Sequence, residues 1–574
     1  MGCGPSLDAT PTKGTDRHRR NHRRAMAAHG DHRRRTRSDT RDATEEESLE
    51  MAEEYMNDDR SAEIIHKGVP FEAIIKKFPQ LPTLKPMNAI KEENTIFTIK
   101  PLKYDRYKPD AEPMPIDDVE SYKDLWDEYH VRMPCSNNYI SNDRKPIWSK
   151  ICEHLLFLKA KCDSRKVNFK HLKTAIEDCN ERSFDLECLQ QLIDSIYSNE
   201  EYQNFMYVTL SKMCDLLLNI KSVCTQPLPL LRTEENRSVT MSQQQAAALL
   251  ACAFFCLFPT RSDRTLRKEY EDYQNPNFET LYQRGPPSKI EKLKCILHYF
   301  NRVTDHMPTG VITFQRVVLP KSDYPQWPEL KTDLCDLHLT TGQKIEDIPS
   351  VLQIDFANKY IGGGVLGSGC VQEEIRFSIC PEMLVSLLIC EKMERNECIF
   401  LIGCERYSSY KGYAHSFKFA GNYTDKTPRD SWGRLWCHVV AMDAIYFQNP
   451  STQYHMKSIE RELLKAYTSF RPLGQDAGSR FGIATGNWGC GAFNGDRQLK
   501  AIIQLMAASE ARRPLVYAAF GDRKLVTSFS ALYEHLKMER VTVGDLYYYL
   551  MRYCRDQPEQ SLFDYILMSP ASGF

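Results

Sequence analysis

The stretch Val351–Phe377, VLQIDFANKYIGGGVLGSGCVQEEIRF, decides how the rest of the chain is read. A β-branched strand pattern carries Asp355 and runs into Gly362, Gly363 and Gly364. Seven residues later Gln372, Glu373 and Glu374 open a helical pattern. Consecutive glycines permit positive φ and let the backbone pass close to a ligand. Amides freed in this way, beside a helix N-terminus, make a concave site for phosphate. A flexible turn would use the same glycines, and carboxylates at a helix N-terminus have an ordinary use in complementing the dipole. Two in a row behind a phosphate cradle would repel the ligand unless one is protonated or bonded to sugar hydroxyls. That combination points to glycosidic chemistry on a sugar phosphate.

The geometry of adjacent residues narrows the chemistry. Neighbours on a helix point about 100° apart, so Glu373 and Glu374 approach a ligand from one side. Ordinary glycosidases need opposed carboxylates about 5 to 9.5 Å apart. A single acid/base with an oxocarbenium-like transition state fits better: one glutamate protonates the leaving oxygen and then activates water, and the other positions the leaving sugar.

Outward from this loop the chain divides in two. Between about residues 61 and 305 apolar positions recur at helical spacing, as in Trp148–Ala160, Phe184–Tyr197, Phe205–Ile220 and Ala246–Phe258. The last of these is too short to cross a bilayer and reads as a buried helix, and Ser242 and Gln245 in front of it supply a capping box. From residue 306 to the end, strand patterns at Gly310–Val318, Val351–Phe356, Cys398–Gly403 and Leu515–Phe520 alternate with helical ones at Pro381–Met393, Cys437–Phe447, Ser458–Phe470, Arg497–Ala511 and Val543–Tyr553. Alternation of this kind predicts an α/β layered domain behind an all-helical lobe. A second glycine-rich run, GNWGCGAFNG at 486–495, follows a strand-like segment and precedes a helix; it suits a backbone cradle for a diphosphate, or a tight connection.

Charge and cysteine usage exclude other classes. Lys and Arg number 75 against 76 Asp and Glu, but residues 1–60 hold ten arginines and four histidines between Arg17 and Arg41, followed by nine acids between Asp42 and Asp59. The remaining body is electrically balanced, which argues against sequence-independent grip on long nucleic acid. The tail, poor in apolar residues, is expected to be disordered. The 20 cysteines lack any CxxC pair, so neither a zinc framework nor a disulfide plan is evident. No signal peptide is visible. Met1, Gly2, Cys3 and Ser6 fit a myristoylation pattern with a neighbouring cysteine available for palmitoylation; the alternative is a solvated or nuclear-import arm.

The run of three glycines, seven residues, then Gln-Glu-Glu resembles the signature loop of the poly(ADP-ribose) glycohydrolases. His130–Ser136 (HVRMPCS), Pro308–Phe314 (PTGVITF), Asp355–Asn358 (DFAN), Tyr407–Ala414 (YSSYKGYA), Ala484–Phe493 (ATGNWGCGAF) and Phe520–Asp522 (FGD) are similar to family segments in family order, covering roughly residues 120–555. The resemblance implies a macrodomain, a mixed sheet between helices, with a helical N-terminal lobe. It implies hydrolysis of the ribose-to-ribose bonds of poly(ADP-ribose) on modified proteins, without cofactor or metal. Nucleus and cytoplasm, in the DNA damage response, are the expected setting, and the N-terminal pattern at Gly2 and Cys3 gives membrane association as the alternative. Direct sequence-specific nucleic-acid binding is not expected. Glu374 then corresponds to the acid/base and Glu373 to its neighbour on the leaving ribose. Asp355 completes the acidic group, and Asn358 lies near the terminal ribose. Gly363 and Gly364 line the substrate, as do Asn487, Gly489, Cys490, Gly491, Ala492 and Phe493 at the diphosphate. Tyr413 and Phe520 match family aromatics at the adenine, Gln372 offers donor and acceptor groups to an adenine edge, and Glu346 resembles a further adenine contact, one residue out of the pattern. Three other readings compete: a non-catalytic ADP-ribose reader, a glycosidase for neutral polysaccharides, and a nucleic-acid scaffold using the arginine tail. The first has no need for adjacent carboxylates, the second none for two phosphate cradles, and the balanced body weakens the third.

Overall fold

The computed structural model describes residues 64–75, 84–102, 112–117, 122–141, 144–261, 268–473 and 481–569. The bipolar tail and the lipidation pattern at Gly2 and Cys3 lie outside these residues. Among the described residues ten strands build one mixed sheet: β1 (His66–Gly68), β2 (Thr95–Phe97), β3 (Arg237–Ser242), β4 (Val311–Val318), β5 (Leu337–Thr340), β6 (Leu352–Asp355), β7 (Glu397–Ile402), β10 (His438–Ala441), β11 (Ile483–Gly486) and β12 (Leu515–Ala518). Strands β8 (Ser408–Lys411) and β9 (Lys418–Asn422) form a separate hairpin. The sheet order is β1-β5-β12-β11-β6-β10-β7-β4-β3-β2. Its centre, β5 to β10, is parallel; β1 on one side is antiparallel to β5, and on the other side the pairs β10–β7, β7–β4 and β4–β3 are antiparallel, with β2 parallel to β3 at the far edge.

The parallel centre explains where a site can form. Ala518 pairs with Thr340 and with Gly486, and Asp355 pairs with Ala441, so the carboxyl ends of five strands line up along one edge. In open α/β sheets that edge is where ligands bind.

Strand periodicity sorts the core into two layers. Ile399 and Leu401 of β7 join the helical lobe, while Cys398, Phe400 and Ile402 face the helices Met456–Phe470, Arg497–Glu510 and Val543–Asp556. Alternate side chains of one strand thus serve two cores, each fully buried aliphatic or aromatic residue contributing about 1.5–3 kcal/mol relative to exposure. In the lobe, the Gln243–Phe254 helix is apolar on every side beyond its three opening glutamines and correspondingly buried. Its capping box is present: Ser242 Oγ accepts from Gln245 N, and Gln245 Oε1 from Ser242 N, each at 3.0 Å.

The structure refines the expected elements. β4, β6, β7 and β12 fall where the strand patterns predict, and the helices Met456–Phe470, Arg497–Glu510 and Val543–Asp556 match theirs. Cys437–Phe447 is not a helix: His438–Ala441 is a strand between β6 and β7. Its run is apolar on both faces because both are buried, which erases the alternation that marks a strand. Pro381–Met393 is broken into a 3-10 turn at Pro381–Leu384 and a short helix at Val385–Ile389. The N-terminal lobe is helical at its centre, but β1, β2 and β3 come from residues before 305 and extend the sheet at both edges. Three-residue strands such as β1 and β2 are too short to carry a period.

Candidate active site

Asp355 ends β6 with its side chain wholly buried and neither carboxylate oxygen bonded within the protein. Burial, and then the neighbouring Glu374, push its carboxyl up to about 8, opposed by the Arg376 guanidinium. Beyond Asp355 the chain leaves the sheet and turns through the glycines. Gly362 (φ 90°) and Gly363 (φ 49°) hold left-handed conformations that side chains resist.

The Gln372–Ile379 helix presents both glutamates to this turn. Glu373 accepts hydrogen bonds from the amides of Asn358 (2.8 Å) and Gly362 (2.6 Å). Glu374 accepts from Gly364 (2.9 Å) through one oxygen and from Val371 (2.9 Å) through the other. Both side chains are buried. Burial, with Asp355 and Glu374 beside it, raises the Glu373 carboxyl well above the usual range, against the pull of its two amides. Gly363 is wedged between the pair: a Cβ there would lie 2.6 Å from an oxygen of each glutamate. The loop backbone and both carboxylates therefore share one surface.

Other predicted residues gather around this centre. Asn358 bends the chain by accepting from the Tyr360 amide at 3.0 Å. Tyr413, in the turn of the β8–β9 hairpin, stacks obliquely on Phe520 with ring centroids 4.9 Å apart. Phe520 follows β12 in a positive-φ conformation (53°). Burial raises the Tyr413 phenol, with Glu374 and Glu346 among the nearby charges. Glu346 thus lies by the aromatic pair, its carboxylate accepting from Tyr410 Oη.

The 486–495 loop follows β11, next to β6 in the sheet. Asn487 anchors it, donating to the Ala519 carbonyl (3.1 Å) and accepting from Tyr517 Oη (3.0 Å). Gly489 has φ 71°, and a Cβ there would meet Ala444 at 2.6 Å. Cys490, Asn494 and Gly495 donate their amides within the turn or to its start. A Cβ on Gly491 would meet open space, and Phe493 holds the Phe447 amide with its carbonyl. With Gly491 and Ala492 at its open crest, this loop and the Gly362–Gly364 turn rise from adjacent parallel strands.

Gln372 also has a structural part. Its Oε1 accepts from the Phe356 amide (2.8 Å) and its Nε2 donates to the Ile354 carbonyl (3.0 Å). Those strand-end groups would otherwise be unpaired, so Gln372 clamps helix to strand and keeps one N–H and one carbonyl lone pair beyond these two bonds.

Three neighbours were not singled out from sequence. Arg376, one helical turn past Gln372, is the cation facing Asp355. Lys292 of the Pro287–Asp305 helix is wholly buried and donates to the carbonyls of Gly364 (3.4 Å), Gly367 (2.9 Å) and Gly369. Burial pushes its ammonium down to about 8, with Cys370 and Glu374 opposing. Gln274 Nε2 donates to the carbonyls of Gly363 (2.9 Å) and Tyr360 (3.3 Å). Lys292 left a trace in the sequence, a cation on a stripe with Cys295, Ile296 and Tyr299 that is otherwise apolar; Gln274, on an irregular segment, left none.

A buried carboxylate cluster under a glycine turn, at the carboxyl ends of parallel strands and walled by helices, defines a hydrolase of the macrodomain class. Comparison with known proteins identifies which one. Residues 324–527 match the family described as poly(ADP-ribose) glycohydrolase, macro domain fold, and residues 197–316 match its helical domain. The chain is 34% identical over 430 residues to probable poly(ADP-ribose) glycohydrolase 2 of Arabidopsis thaliana, covering 63% of this chain and 81% of that one. It is 37% identical over 323 residues to poly(ADP-ribose) glycohydrolase 1 of Caenorhabditis elegans, covering 54% of this chain and 39% of that one. The chain belongs to the poly(ADP-ribose) glycohydrolase family, and is a glycosidase acting on poly(ADP-ribose).

Proposed function

We propose that Glu374 is the acid/base that hydrolyses the ribose-to-ribose O-glycosidic bonds of poly(ADP-ribose), releasing ADP-ribose. The observation that carries this reading is the Gly363 wedge, which brings the loop backbone against both carboxylates at once. Protonated Glu374 gives its proton to the leaving ribose oxygen as the bond from that oxygen to the anomeric carbon breaks. The resulting oxocarbenium-like sugar takes up water on that carbon, and the Glu374 carboxylate removes the water's proton, which restores the acid. Glu373 holds the leaving ribose, and Asp355 keeps the cluster acidic. The turn at Gly363 and Gly364 faces the terminal ribose near Asn358. The loop of Gly489, Cys490, Gly491, Ala492 and Phe493 cradles the diphosphate, with the amides at its open crest facing the ligand and that of Cys490 holding the turn. Tyr413 and Phe520, packed on each other, line the adenine site with Glu346 at its edge, since aromatic faces suit a flat base.

The test is release of ADP-ribose from automodified polymer by the wild type and by Glu374→Gln, with ADP-ribose affinity measured on both. Loss of release with retained binding supports the reading. A wild type that binds polymer and releases nothing would make the protein a reader. We further propose that the protein works in nucleus and cytoplasm; removal of Gly2 by Gly2→Ala leaves its distribution unchanged on that reading and detaches it from membranes on the lipid-anchor alternative.

A further inference from the structure

The glycine turn that carries the catalytic geometry has no side chains with which to hold itself, and its positive-φ residues lose more freedom on ordering than any others. Its carbonyls are held from outside, by the helical lobe. Gln274 takes the Gly363 carbonyl, and the amide of the same peptide unit, on Gly364, donates to Glu374 Oε1 at 2.9 Å. Lys292 takes the carbonyls of Gly364, Gly367 and Gly369 from the other side. A Cβ on Gly369 would lie 2.8 Å from that same Glu374 oxygen, so the segment held by Lys292 also packs on the carboxylate. Gln274 is itself fixed: its backbone carbonyl accepts from Arg261, which also donates to the carbonyls of Leu387 (3.2 Å) and Leu388 (2.6 Å) and lies over the rings of Tyr270 and Tyr273.

We propose that Gln274 and Lys292 are positioning residues for Glu374, acting through the peptide units of the glycine turn; the proposal rests on the acid/base reading of Glu374. A side-chain donor on a carbonyl polarises that peptide and strengthens the bond its amide makes, and chains of such bonds reinforce one another in a low-dielectric interior. The Gln274–Gly363–Gly364–Glu374 chain therefore sets where the Glu374 oxygen sits and how strongly it is held. Lys292 adds a second clamp, since its ammonium gathers three carbonyls of the segment that packs on Glu374. The lobe is in this way a part of the catalytic apparatus, although none of its residues in this chain of contacts touches the carboxylates directly.

The experiment compares Gln274→Met and Lys292→Met in the full chain with the wild type and with Glu374→Gln. Melting temperature, ADP-ribose affinity and single-turnover release from polymer are measured on each. The expected result is a kcat lower by roughly 10²-fold with ADP-ribose affinity within about threefold of wild type, because a misplaced acid loses transition-state contact rather than ground-state binding. A purely structural role would lower the melting temperature and leave the folded enzyme's kcat intact, which would overturn the proposal. Gln274 is half-buried, so if Lys292→Met does not accumulate as folded protein, Gln274→Met decides alone. If Glu374→Gln remains active, the acid/base reading itself falls. If Glu374→Gln is inactive while folded Gln274→Met turns over at the wild-type rate, only the positioning role falls.

Discussion

Asp355 and Asp443 are two aspartates at the carboxyl ends of adjacent parallel strands, one closing β6 and the other two residues past β10. Both are buried. Burial alone would raise both carboxyls, yet they move in opposite directions. At Asp443 the penalty is outweighed by Lys465, 2.7 Å away, and by Arg461, so its carboxyl falls below the ordinary carboxylate range. The pairing extends through Glu462, which takes Arg461 at 2.7 Å and Lys500 at 2.6 Å. Asp355 has no hydrogen-bond partner, faces Glu374 and feels one opposing cation, and its carboxyl rises to about 8. Partners, and not depth, decide whether a buried carboxyl is pushed above or below its ordinary range.

Changes around the two aspartates test this contrast. The largest effect is expected on the reactive side: Glu374→Gln should cut turnover by about 10²- to 10⁴-fold, the usual worth of a general acid/base, with release of ADP-ribose as the assay. On the saturated side, Lys465→Met leaves Asp443 short of a buried partner and should cost roughly 3–5 kcal/mol of stability, read from denaturant unfolding, with little change in the turnover of the folded fraction. Gly363→Ala adds a methyl group 2.6 Å from an oxygen of each glutamate on a positive-φ residue; kcat should fall by roughly 10²-fold, since displacement of about 1 Å has that effect, and a wild-type rate would show that the wedge is slack.

The pH test falls on Asp355 itself. Because the folded carboxyl of Asp355 lies at about 8 and an unfolded one lies near 3.9, the native state binds the extra proton between those values. The stability tied to that proton is fully present below about pH 4 and is lost as pH rises through about 8. Asp355→Asn should therefore melt higher than the wild type near pH 8, and the gap should close as the pH is lowered towards 4. An equal gap at both ends would mean that Asp355 is not the titrating group. Lys465→Met and Asp355→Asn should thus move stability in opposite directions from the same structural layer.

How much of this was legible in the chain varies with the physics. The glycine turn and the Gln-Glu-Glu run stood out because their constraints are local: positive φ demands glycine, and a carboxylate pair at a helix N-terminus needs a reason. Helices such as Met456–Phe470 were legible because one face is wet. β10 was not, because a central strand buried on both sides loses its alternation, and β1 and β2 were too short to show one. Gln372 was legible as a residue of the site, but its use as a clamp on Phe356 and Ile354 depends on backbone groups that only the fold brings within reach.

The sequence by itself determined the family, the acidic pair, the two glycine loops and the order of a helical lobe before an α/β layer, all of which follow from residue type and spacing along the chain. Tertiary structure alone decided that Asp355 has no hydrogen-bond partner while Asp443 is ion-paired to Lys465 and Arg461, that β1, β2 and β3 cross from the lobe into the sheet, and that Gln274 and Lys292 hold the glycine turn by its carbonyls. The reason is the same in each case. Burial and partnership are set by residues tens to hundreds of positions away, and a carboxylate's charge, like a glycine's conformation, depends on what the fold places against it.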